Sequence, residues 1–160
     1  MDHFHPNNII FEAGGIKREI PPLVVDGDQT LSGTHNGSVC VHRGTLIIAR
    51  GATINGSLTL QPDAQLLVLG THNGSLTINS SASADVVGAQ NGSTHVNTMG
   101  ILRVATGGRL AGSLSIAGLV ENAGERGGSV TDLGGRIVDL PGSSVKRAER
   151  SADGTSIFRW

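Results

Sequence analysis

Six histidines, one cysteine and a scatter of carboxylates are the residues of this 160-residue chain whose types could do chemistry. His35 and His72 come first. They hold the same place in two identical hexamers, Gly-Thr-His-Asn-Gly-Ser, at Gly33 to Ser38 and again at Gly70 to Ser75. A zinc site needs three or four ligands about 2 Å from the ion. With Ile54 between them and Gln90 following, the two histidines stand two repeats apart, at about 10 Å for strands spaced as in a sheet. They therefore read as solvated turn residues that mark a contact surface, not as metal ligands. His3 and His5 read as terminal residues, and His42 and His95 as outward strand positions.

Glycoside cleavage requires two carboxylates flanking one bond. Asp63, Asp85, Glu121, Glu125, Asp132 and Asp139 are the candidates, and none shares a repeat column with an obvious partner. Cys40, in Val39-Cys40-Val41, has His42 two residues on and on the same side of a strand, without the basic surroundings that stabilise a thiolate. It reads as an inert strand cysteine. No catalytic residue, cofactor, metal or small-molecule substrate is indicated.

The elements that carry these residues are set by a repeat. Besides the two hexamers, related corners occur at Ile54-Asn55-Gly56-Ser57, Gln90-Asn91-Gly92-Ser93, Leu110-Ala111-Gly112-Ser113 and Arg126-Gly127-Gly128-Ser129, in steps of 19, 18, 18, 20 and 16 residues. Each Gly-Ser precedes a short alternating strand such as Leu58-Thr59-Leu60 or Leu76-Thr77-Ile78, and alternation at period two means one buried face. A second apolar run follows in every repeat, as in Leu46-Ile47-Ile48 or Leu66-Leu67-Val68-Leu69. Two or three short strands per repeat leave no room for a helix.

One such coil cannot bury its own apolar edge, whereas stacking pairs its backbone with the coils above and below at about 4.8 Å. The expectation is therefore an all-β, single-domain parallel β-helix of about six coils of about 18 residues. Residues 29–145 form the solenoid, 1–28 an N-terminal flank and 146–160 a C-terminal one. Asn36, Asn55, Asn73 and Asn91 should stack as an asparagine ladder. Gly37, Gly56, Gly74, Gly92, Gly112 and Gly128 mark corners that need positive φ. A type I′ hairpin at each Asn-Gly, giving an antiparallel meander, is the competing reading. Ile9-Ile10-Phe11 and Ile20-Pro21-Pro22-Leu23-Val24-Val25 suit a cap on the first coil, and Lys146 to Arg150 a turn of helix. Phe158, Arg159 and Trp160 form a terminal cluster that plugs the open core or serves as an interface.

Composition agrees with a thin, repetitive core: 24 glycines, 2% aromatic and 38% apolar residues. Twelve basic and 13 acidic residues give a net charge of −1, so no footprint for nucleic acid or an anionic membrane appears. The lone cysteine fits a reducing cytoplasm, the N-terminus has no secretory pattern, and no apolar run reaches the roughly 18 residues of a membrane span.

Gly44-Thr-Leu-Ile-Ile-Ala-Arg-Gly-Ala-Thr-Ile-Asn-Gly-Ser-Leu-Thr-Leu60, continued through Leu69 to Ile78, resembles bactofilins, the polymer-forming bacterial cytoskeletal family. The resemblance implies a right-handed parallel β-helix that stacks end to end into filaments. Hexapeptide-repeat acyltransferases offer a second likeness, because Ile54, Leu60, Leu66, Ile78 and Ala84 fall at six-residue steps. There the phase fails at His72 and Gln90, and nothing marks a catalytic histidine. The expectation is a non-catalytic scaffold that self-assembles by coil stacking, its partner being itself. The alternative is a compact protein-binding module, such as a cytoplasmic immunity protein that neutralises a toxin.

Overall fold

The structure is a computed structural model that describes residues 8–11, 14–15, 17–147, 149–150, 152–154 and 156–157. Among these there is no helix. Three seven-stranded parallel sheets run side by side, and the chain visits them in rotation, so that each circuit is one turn of a β-solenoid. The first face runs from Leu23–Asp26 to Val130–Asp132, the second from Gln29–Leu31 to Arg136–Asp139, and the third from Thr34–Asn36 to Ser144–Lys146.

Register makes the repeat physical. Leu76 pairs with Leu58 and Thr94, Leu66 with Leu46 and Ala84, and Asn73 with Asn55 and Asn91. Equivalent residues of successive repeats thus lie on top of one another. Every Asn-Gly corner joins strands of adjacent parallel sheets, which excludes the antiparallel meander. Five positions per turn face inward, for instance Leu58, Leu60, Leu66, Val68 and His72 in the third turn, and all five are buried. Fully burying an aliphatic side chain contributes about 2 kcal/mol, and only stacking delivers it here.

Two expectations change. The solenoid has seven turns, because Leu23–Asp26 already pairs in parallel with Val39–Arg43 and so belongs to the first coil rather than to a cap. The charged run Lys146 to Arg150, expected to make a helical turn, is strand at Lys146 and at Glu149–Arg150. Ser144–Lys146 is the last solenoid strand, and Glu149–Arg150 pairs antiparallel with Ser156–Ile157. At the other end Asn8–Phe11 pairs antiparallel with Lys17–Ile20. Each end of the stack is therefore flanked by a two-stranded hairpin. No helix of the described residues is long and apolar enough to cross a membrane.

Candidate functional site

The corner after the third face carries a polar column on the outside. Asn55 Nδ2 donates to Asn36 Oδ1 at 2.9 Å, Asn73 to Asn55 at 3.0 Å and Asn91 to Asn73 at 3.0 Å. Arg109 Nη2 closes the row by donating to Asn91 Oδ1 at 3.4 Å. The glycine at each of these corners turns the chain, with φ between 137° and 150° after the four asparagines at Gly37, Gly56, Gly74 and Gly92, 97° at Gly112 and 107° at Gly128. Gly74 shows why nothing larger fits: a Cβ there would sit 2.2 Å from the Gly56 carbonyl oxygen. A shorter row, Asn97 Nδ2 to Asn79 Oδ1 at 2.8 Å, follows the first face.

The histidines of the two hexamers are not solvated turn residues. Thr34–Asn36 and Thr71–Asn73 are strands of the third face, and their central residue points inward. His72 is 0% exposed, and His35 is half-buried in the first turn. His72 Nδ1 lies 2.5 Å from Gln90 Oε1 and Nε2 lies 2.7 Å from the Gly56 carbonyl oxygen. Gln90 Nε2 donates onward to the Gly74 carbonyl at 3.0 Å and to the Thr94 hydroxyl at 3.4 Å. Burial pulls the His72 imidazole below the usual histidine range, against the opposing effect of its two partners. His72 and Gln90 therefore continue the six-residue inward phase of Ile54, Leu60, Leu66, Ile78 and Ala84 instead of breaking it, because a buried polar pair that satisfies itself can occupy apolar positions. His72 therefore has no exposed ring to offer a partner, whereas His35 keeps part of its surface.

Cys40 points outward on the first face and is nonetheless buried, with Gln61 Nε2 donating to its Sγ at 3.6 Å. Burial pushes the thiol up, so it is a poor nucleophile. The carboxylates do share columns. Asp85, Arg103 and Glu121 are in register on the second face, and Arg103 lies 3.9 Å from Asp85 and 3.6 Å from Glu121. Among the described residues no three His, Cys, Asp or Glu side chains converge as metal ligands would. Phe158, Arg159 and Trp160, together with His3 and His5, lie outside the described residues.

A second interior cluster was not anticipated. Asn122 and Arg126 take inward positions of the sixth turn, and Asp139 an inward position of the seventh. Arg126 Nε and Nη2 hold Asp139 Oδ1 and Oδ2 at 2.8 and 2.7 Å, and Asn122 Nδ2 donates to Oδ1 at 3.0 Å. Asn122 Oδ1 in turn accepts from the Gly124 backbone N–H at 3.1 Å. The Arg126 guanidinium holds the Asp139 carboxyl below the usual range. Arg126 and Asp139 are 13 residues apart and on different faces, so only the seventh turn's register brings them together.

Fold and polar geometry together define a parallel β-solenoid of about seven turns whose side-chain hydrogen bonds run between its own turns. The chain matches no family model, no curated protein and no solved structure.

Proposed function

We propose that the chain is a non-catalytic, structural or scaffolding β-solenoid that associates with further copies of itself by stacking turn on turn. The resemblance of its repeat to bactofilins points the same way. The observation that carries the reading is the state of the ends. Among the described residues each sheet finishes on strands with one neighbour: Leu23–Asp26, Gln29–Leu31 and Thr34–Asn36 at one end, and Val130–Asp132, Arg136–Asp139 and Ser144–Lys146 at the other. Such a strand presents a row of backbone donors and acceptors that another strand can pair with. Along the flank, by contrast, the asparagine side chains bond to one another within the stack. A reducing compartment such as the cytoplasm would keep Cys40 a thiol.

Sedimentation velocity of the full chain over a wide concentration range tests this. Concentration-dependent growth of an elongated species is expected, and a monomer at every concentration would overturn it. The hairpins flanking both ends favour a second reading, a compact binding module such as an immunity protein, because a flanked end is less open to stacking. Affinity capture from the native host would then recover a different protein in fixed stoichiometry.

A further inference from the structure

The interior is not uniform along the rod. In turns two to five the inward positions are apolar except for His72, Gln90 and Thr94, which are all buried. In turn six they become Leu114, Ile116, Val120, Asn122 and Arg126, and in turn seven Val130, Asp132, Ile137, Asp139 and Val145. Turn one places Leu23, Val25, Gln29, Leu31 and His35 inward, so among the described residues inward carboxylate and guanidinium groups occur only at the C-terminal end. We propose that Arg126 and Asp139, with Asn122 and Asp132 beside them, are a stack terminator that closes this end to any further turn. The proposal rests on association by coil stacking and restricts it: only the other end is left to pair, so a stack stops at two copies.

The geometry suits that task. Arg126 stands on the third face and Asp139 on the second, so their paired hydrogen bonds span the hollow like a bar across a pipe. They remain partly wet, with the side chains 14% and 33% exposed. A further turn laid on this end would strip that water from a charged pair and cover the exposed Asp132 carboxylate, which accepts from the Gly134 backbone N–H at 2.8 Å. Desolvation of charges opposes such a contact, and inward-pointing charges are a recognised protection of sheet ends. The same bonds serve the fold, because Asn122 and Arg126 of turn six both fasten Asp139 of turn seven. The apolar residues around the bar, Val130 at 45% and Val145 at 42% exposure, would otherwise be an attractive stacking surface.

The test is the size of the full chain by light scattering on a sizing column and by electron microscopy, native against Arg126→Leu/Asp132→Leu/Asp139→Leu. Native particles of at most two copies, and at least a threefold larger, rod-shaped species for the triple variant with unchanged far-ultraviolet dichroism, are expected. A folded variant of native size overturns the terminator. Native filaments overturn it too, while leaving the proposed function standing. A native monomer at all concentrations beside a growing variant upholds the terminator and removes native self-association instead. Should the triple variant not fold, Arg126→Met/Asp139→Asn, which keeps an amide partner for Asn122, is read in the same way.

Discussion

Gly33 to Ser38 and Gly70 to Ser75 are the same six residues, yet the structure treats them differently. In the second copy, the histidine is sealed in the core, with Gln90 on the next turn and the Gly56 carbonyl of the previous one as partners. In the first copy, His35 has Ile54 on the next turn and, among the described residues, no hydrogen-bond partner for Nε2. Among the described residues no strand of the third face lies before it to supply the carbonyl that His72 receives. In a solenoid the environment of a residue is written one turn away, about 18 residues along the chain, and not by its sequence neighbours.

The largest loss is expected at the corner glycine. Gly74→Ala drives a methyl into the Gly56 carbonyl and is expected to cost about 3 kcal/mol or to prevent folding, measured by urea denaturation. Next, Gln90→Ile gives the second hexamer the neighbour that the first one has. It strips partners from buried His72, Thr94 and the Gly74 carbonyl, and a loss of about 2 kcal/mol is expected. His72→Leu combined with Gln90→Ile should cost much less than the two single losses added, because no buried polar ring is then left unsatisfied.

Acid sharpens the contrast further. Unfolded histidine titrates near pH 6.5 and folded His72 lower, so below about 6.5 the unfolded chain binds more protons. The contribution of His72 is therefore complete above that pH and is lost progressively as the pH falls toward the folded value. Melting temperature measured from pH 8 to 5 should drop on the acid side, and His72→Gln should flatten that slope. Asp139 acts in a different window. Its folded value is depressed, so the stability it supplies is present above the usual carboxylate range and disappears only below about pH 4. The smallest effect is outside the core: Asn73→Ala removes two exposed ladder bonds, with about 1 kcal/mol lost in the same urea assay.

Much of the architecture was legible because stacking turns a physical period into a textual one. Leu58-Thr59-Leu60 and Leu66-Leu67-Val68 lie on the first and second faces, where period two placed them. The third face was harder to read, since Thr71-His72-Asn73 has a single inward residue and that residue is polar. Its signal was present: position 72 falls six residues after Leu66 and six before Ile78, and counting by position instead of by hydrophobicity would have turned it inward. Leu23-Val24-Val25 was read as part of a cap because no Gly-Ser corner precedes Leu23. Arg126 and Asp139 gave no local signal, as their pairing depends on the exact length of the turn between them.

Arg109 sets the orientation of the amides beneath it. An amide can face either way, but a guanidinium only donates, so the Asn91 oxygen must turn toward it and the Asn91 amino group away. That choice passes down the row, from Asn91 to Asn73, to Asn55 and to Asn36, like tiles tipped in sequence. One cation thereby gives the outer edge of the rod an arrow, and anything that reads that edge can tell which way the molecule points.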